Sequence, residues 1–415
     1  MKISRRSSVV SRQSRTKKCA FRIAQCESNK CAFRVSRFAF CGSHFALFAL
    51  LFSLFTFHLS PSSFAADWKQ AVGGRAWSFP GDHGSHPEYR TEWWYFTGNL
   101  ADEAGNRYGY QLTFFRQGIN NAEAGNSKLR KDNLWAVRDV YLAHFALTDF
   151  GKNRFRHADR TSRTGPGLAH ANPKGMNVRV LDWSAHMKKG VIYLNARHKG
   201  MEIKLTLNPG KPLVLHGHNG LSRKGPAEGQ SSYYYSFTDL KTNGSIKTPL
   251  NSEPVNVRGV SWFDQEFGSN QLTSEQVGWD WFGIHLSDGR DLMVYFIRKK
   301  DGSIEAASSG TLVERKGSSG HLKLSDTQVY VLEKWKSPET GGIYPGKWRM
   351  CIPSAGIDIT IAPPVANQEL ITGASTGITY WEGAVEGKGT SGNKPVTVEG
   401  YAELTGYTGS LGGAF

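Results

Sequence analysis

Cysteine is nearly absent from most of this chain. Of five cysteines, Cys19, Cys26, Cys31 and Cys41 fall within the first 66 residues, and only Cys351 lies beyond them. A single thiol excludes an internal disulfide in residues 67–415, and no Cys-x-x-Cys pair remains there to hold a metal. Cys351 is expected as a packed core thiol rather than a nucleophile. Long Ala/Leu/Glu/Lys stretches of helical period are missing after residue 60, which argues against a helical bundle. There is no Gly-x-Ser-x-Gly elbow, so a serine hydrolase has no sequence support. No Pro-rich or Ser-rich linker interrupts the chain.

What is present points to strands. The 415 residues include 46 glycines and 12% aromatics, the composition of many short strands joined by tight turns. Met201–Leu207 alternates apolar and polar strictly, and Tyr108, Tyr110, Leu112 and Phe114 share one face of another run. Asn219-Gly220, Asn243-Gly244, Asp288-Gly289 and Asp301-Gly302 read as turns, because both central positions of a two-residue hairpin favour positive φ.

The first 66 residues read differently. Eleven Lys/Arg and one Glu precede or enter an apolar run, Phe45–Phe57, followed by Ser63-Phe64-Ala65. Basic lead, short apolar core and small-x-small end describe a secretory signal. A retained N-terminal anchor is the alternative, although the run is short for a membrane span. The basic lead is unusually long for such a signal. Of the net charge of +16, only about +6 stays on residues 67–415. That residue of charge is scattered, so no nucleic-acid partner is expected. The protein is expected outside the cytoplasm, in a periplasm or extracellular, with membrane association as a further option.

The chain also resembles itself. Trp93–Leu100, a polar turn, and Tyr108–Arg116 parallel Trp279–Leu286, a turn at Asp288-Gly289, and Leu292–Arg298. The copies lie about 185 residues apart, the length of a domain rather than of a solenoid repeat. Two related β-domains follow, residues 67–272 and 273–415, with the boundary near Asn270–Val277.

Four stretches carry a family resemblance. They are Asp82–Glu88 leading into Thr91-Glu92-Trp93-Trp94-Tyr95-Phe96-Thr97-Gly98; Arg138–Phe145; Ser261-Trp262-Phe263-Asp264-Gln265-Glu266-Phe267-Gly268; and Tyr380-Trp381-Glu382-Gly383 with Tyr401–Tyr407. Together they resemble the AttH/CrtC-like family, whose members are described as secreted hydrolases or as similar to carotenoid hydratases. The resemblance implies an all-β fold of two tandem lipocalin-like antiparallel β-barrel domains. It also implies an apolar isoprenoid- or lipid-like small molecule as partner, bound only, or acted on by a hydratase or isomerase. An accessory role in an envelope export system, without catalysis, is the alternative. No cofactor and no metal are expected.

Several residues could carry chemistry. On a strand over Val255–Phe267, Trp262, Asp264 and Glu266 share a face. Two carboxyls beside an indole are an acid–base candidate, since an apolar wall keeps a carboxyl protonated near neutrality. The competing reading has both carboxyls paired with Arg or capping the turn at Gly268. His144, on an apolar strand face, is a second catalytic candidate or a satisfied core histidine. Glu92 is a third, within a polar cluster of Asp82, His83, His86 and Glu88 that either lines a pocket mouth or holds a turn. Trp93, Tyr95, Trp262, Trp279, Trp281, His285 and His86 are the candidate ligand contacts, although an aromatic stripe in a barrel is equally a core. His216-Gly217-His218 reads as a hairpin tip.

Overall fold

The computed structural model describes residues 68–121, 136–270 and 272–411. The expected signal segment and its four cysteines lie outside the described residues. Among the described residues there is no α-helix; three short 3-10 turns interrupt 23 strands. These build a 13-stranded sheet from Thr91 to Gly268 and a 10-stranded sheet from Gln276 to Leu404. The first curls into a nearly closed barrel and the second into a half-barrel, the architecture expected of lipocalin-like β-domains in tandem.

Both sheets have one topology. The opening strand, Thr91–Asp102 or Gln276–Leu286, pairs with its hairpin partner, Arg107–Gly118 or Asp291–Lys299. On its other side it pairs with the last strand of its own sheet, Val255–Gly268 or Lys394–Leu404. This antiparallel joining of first strand to last puts both in the middle of the sheet, and the edges fall on strands from the middle of the sequence, Arg154–Arg163 and Ala169–Ala171 in the first sheet, Ser319–Lys323 and Gln328–Lys336 in the second. The internal similarity of the sequence therefore marks the central hairpin of each sheet.

The turn signals have mixed outcomes. Asn219 and Gly220 take φ of 51° and 87°, and Gly289 and Gly302 take 89° and 82° at the other turns. Asn243-Gly244 is not a turn. It lies inside the continuous strand Ser231–Lys247, paired on both sides. A Cβ on Gly244 would stand 2.1 Å from the Lys204 carbonyl oxygen, so glycine serves close strand approach there. Cys351 is half-buried beside Asp358 rather than in the core, because its strand faces solvent on that side.

Period-two alternation sorts most of the apolar residues into three large clusters, beside two small ones. Trp94, Phe96, Tyr110, Phe114, Phe145 and Phe263 point into the first barrel. Phe282, Ile284, Trp348, Trp381 and Leu404 fill the second. The opposite faces of the same strands supply Tyr95, Tyr234, Trp262, Trp281, Tyr295 and Tyr401, which pack between the two sheets. Both barrel interiors are thus filled by side chains. The aromatic residues singled out in the sequence form an inter-sheet layer instead.

Candidate functional site

The inter-sheet layer contains a pocket of about 90 Å³. Its walls are aromatic: Trp93, Tyr95 and Phe115 from the first sheet's central hairpin, Tyr234 from the strand Ser231–Lys247, and Trp279, Trp281 and Tyr295 from the second sheet. Asp264, Glu266, Glu403 and Lys224 supply its ionisable groups. Space for the indoles comes from Gly283, where a Cβ would lie 2.5 Å from the Trp281 ring and 3.1 Å from Trp262. Those two rings meet edge to face at 6.0 Å, and Tyr95 meets Trp281 at 5.2 Å.

Asp264 is held by three donors. Trp262 Nε1 and Tyr234 Oη donate at 2.6 Å each, and Ser236 Oγ donates as well. Donors favour the ionised form, yet burial outweighs them and raises the carboxyl to about 7. Glu403 reaches the pocket from the second sheet and is half-buried. It accepts from Trp279 Nε1 at 2.7 Å, and desolvation raises it to about 7 too. Directly across the ladder stands Glu382, fully buried. Tyr95 Oη donates to its Oε1 at 2.7 Å, while Oε2 has no hydrogen-bond partner. Burial, with the charge of Glu403, drives Glu382 well above the usual carboxylate range.

Glu266 is handled differently. Lys224 Nζ lies 2.9 Å from Glu266 Oε1, which also accepts from Ser232. The ammonium sits 4.1 Å from the centre of the Tyr295 ring and is held above its usual range by the Glu266 charge despite burial. Glu266 therefore forms a buried ion pair facing the same pocket.

Of the candidates read from the sequence, Asp264, Glu266, Trp93, Tyr95, Trp279 and Trp281 meet around this pocket, with Trp262 directly behind Asp264. The others are elsewhere. Glu92 is fully buried on the opposite strand face, accepting from His86 Nδ1 at 2.7 Å, Gln265 Nε2 at 2.9 Å and Arg116 Nε at 3.2 Å. His86 stacks on Phe267 with ring centres 3.6 Å apart. Both belong to a polar hub that ties the loop Gly81–Tyr89 to the barrel. His144 is bonded to Tyr380 Oη at 2.7 Å and Ser375 Oγ at 3.0 Å, behind the Phe115 wall. Burial pushes its imidazole down to about 3, so it stays neutral. His285 pairs with Asp291 at 2.9 Å at the far side of Trp262.

Sequence reasoning missed Glu403, Glu382, Lys224 and Tyr234. Tyr380–Gly383 and Tyr401–Tyr407 were visible as distinctive stretches, and strand alternation from Tyr401 would have put Glu403 on its face. Nothing local marks Lys224, which arrives from a turn-rich segment far from its partner.

With this geometry the comparisons become informative. A family model described as AttH-like matches residues 70–407. The chain belongs to the AttH-like family. A solved structure of a candidate AttH from Nitrosomonas europaea is 32% identical, covering 82% of this chain and 99% of that one, with a TM-score of 0.72. Kievitone hydratase from Nectria haematococca has the same fold, with 14% identity, 82% and 97% coverage and a TM-score of 0.61. No curated protein matches the chain by sequence.

Proposed function

We propose that this AttH-like protein is a hydratase- or isomerase-type enzyme acting on an isolated double bond of an apolar, isoprenoid-like small molecule in the inter-sheet pocket. The observation that carries the reading is the pair Asp264 and Glu403. They are two carboxyls from different sheets, both raised to about 7, facing one aromatic pocket. A carboxyl near neutrality is an effective proton donor or acceptor at neutral pH.

Glu403 is the better acid, since one indole N–H holds it and it opens to the pocket. Its proton passes to one alkene carbon, using the π pair to form the C–H bond. The cation left on the other carbon lies among indole and phenol faces, which attract positive charge. Water then attacks that carbon and gives its proton to the Asp264 carboxylate. Loss of a neighbouring C–H proton to Asp264, with no water added, would complete an isomerisation. The Glu266–Lys224 ion pair adds no net charge to the pocket. A pocket of about 90 Å³ receives the reactive end of an isoprenoid, and a longer molecule would extend through the mouth.

The fold shared with a kievitone hydratase supports the choice of reaction class. The test is incubation with kievitone and a panel of isoprenoid alkenes in H₂¹⁸O and, separately, D₂O. One ¹⁸O and one carbon-bound deuterium per product are expected for hydration, and deuterium alone for isomerisation. Tight binding of these compounds without label incorporation would make the protein a carrier. Export is likewise proposed, on the basic and apolar N-terminal segment; N-terminal sequencing of protein from its own host should begin at Ala66 or Asp67.

A further inference from the structure

The ion pair in the pocket wall has hydrogen-bonding capacity to spare on both sides. Lys224 and Glu266 are 7% and 5% exposed, and both line the pocket. The ammonium is delivered by a pinned backbone. Lys224 N–H donates to the Gln230 carbonyl at 2.8 Å, and Gln276 Nε2 donates to the Lys224 carbonyl at 2.7 Å. An ammonium has three N–H groups. One faces Glu266 Oε1 at 2.9 Å, and one donates to Ser222 Oγ at 3.2 Å. Tyr295 Oη cannot take the third. It donates to the Arg223 carbonyl at 3.0 Å and accepts from Ser309 Oγ at 3.0 Å and Ser222 Oγ at 2.9 Å, so it offers the ammonium only its ring face. The third N–H therefore has no oxygen acceptor among the described residues. On the carboxylate, Lys224 and Ser232 both use Oε1. Oε2 accepts no hydrogen bond from the described residues.

We propose that Lys224 and Glu266 form a subsite for a hydroxyl group of the ligand, so that the pocket takes a hydroxylated isoprenoid rather than a hydrocarbon. The inference rests on the pocket being the site of an isoprenoid-like alkene. A hydroxyl oxygen accepts from the third ammonium N–H while its own hydrogen goes to Glu266 Oε2, so one group completes both partners. An ether or a ketone satisfies Lys224 and leaves Oε2 without a donor. A carboxylate sets a like charge against Glu266. A hydrocarbon displaces water from both and pairs with neither. Leaving a buried charged group unpaired is the costly outcome, so the pair discriminates by what it rejects. Asp264 and Glu266 lie two residues apart on one strand face, which sets the hydroxyl subsite about 7 Å along the wall from Asp264. The hydroxyl anchors one end of the ligand there and presents the double bond to Asp264 and Glu403. Lys224 and Glu266 act as positioning residues and move no proton.

Equilibrium binding tests this without turnover. The probes are geraniol, its methyl ether and geranic acid at pH 8, where the acid is ionised. Quenching of the pocket indoles Trp93, Trp279 and Trp281 reads their binding. Corrected for partitioning between water and octanol, the wild type should bind geraniol about tenfold or more tighter than the ether and the acid. Lys224→Met/Glu266→Leu removes both charges together, which spares the fold an unpaired buried ion. In that variant the alcohol-to-ether ratio of Kd should come within about twofold of what partitioning alone gives, at a melting temperature close to that of the wild type. Equal binding of alcohol and ether by the wild type, tighter binding of the acid, an unchanged ratio in the folded double variant, or no binding of geraniol would each overturn the subsite. If the double variant does not fold, the wild-type series decides alone. An alcohol preference that disappears in the double variant, with no label taken up from water, would uphold the subsite and count against the enzymatic reading alone.

Discussion

Two groups of buried carboxyls, one in and beside the first barrel and one between the sheets, have environments that drive them apart. Inside the first barrel, Glu92 meets a guanidinium and an imidazole, and both neighbouring charges hold it below its usual range although it is fully buried. Asp82, beside Arg75 and His86, is held at about 2. Between the sheets, Asp264, Glu382 and Glu403 meet indoles and hydroxyls, and all three are raised. Burial is common to both groups, so it does not by itself identify a reactive carboxyl. Cationic partners convert burial into structure, whereas neutral donors leave a group that can change its protonation state near pH 7.

The largest effect that would test this contrast is on turnover. Asp264→Asn and Glu403→Gln should each lower kcat for alkene hydration by about 10²–10⁴-fold while leaving ligand affinity within a few fold. Steady-state kinetics with kievitone, alongside a melting curve, decide it. Unfolding of both variants would show that these carboxyls hold the inter-sheet layer together rather than act on a ligand.

On the other strand face the loss should be in stability. Arg116→Met takes the guanidinium from the fully buried Glu92, leaving it only His86, and from the half-buried Asp139; breaking such a buried pair typically costs about 3–5 kcal/mol. Urea denaturation should report it as a lower midpoint with an unchanged slope. Turnover per folded molecule should change little, because Arg116 does not reach the pocket.

The two groups also respond oppositely to pH. Asp82 is depressed when folded, so its contribution is present above its unfolded value near 3.8 and is lost as pH falls toward about 2. Asp264 and Glu403 are raised, so the folded state favours protonation. Their contribution is intact below about 4 and is lost as pH rises through about 7. Asp264→Asn should therefore melt higher than the wild type at pH 8, and the gap should narrow as pH falls and close below about pH 4. A gap independent of pH would mean that Asp264 is not raised.

The strand alternation that separates these groups was legible in the sequence; the partners were not. The run Trp262-Phe263-Asp264-Gln265-Glu266 assigns its faces by period two alone. The same rule puts Glu92 with Trp94, away from Trp93 and Tyr95, yet the aromatic surroundings concealed that Glu92 faces Arg116. Whether a ligand would sit in a barrel lumen or between the sheets was not legible in the sequence. The decision depends on how large residues such as Trp94, Phe263 and Trp348 fill both interiors, and that is a three-dimensional packing result. Asn243-Gly244 was misread because a glycine needed for a turn and one needed for close strand approach look alike in one dimension.

The smallest expected effect bears most directly on why the pocket carboxyls are tuned as they are. Trp279 Nε1 donates to Glu403 at 2.7 Å and is the hydrogen bond that restrains the rise caused by burial. Trp279→Phe retains an aromatic wall but removes this donor, which stabilises only the ionised form. Glu403 should then titrate higher. If Glu403 is the acid, the alkaline limb of the pH–rate profile should move to higher pH, while kcat on the plateau stays within about tenfold, since a weaker acid transfers its proton less readily. Were Glu403 the base and Asp264 the acid, the acidic limb would move instead. The direction of the moving limb therefore assigns the two roles, and an unmoved profile would show that neither limb belongs to Glu403.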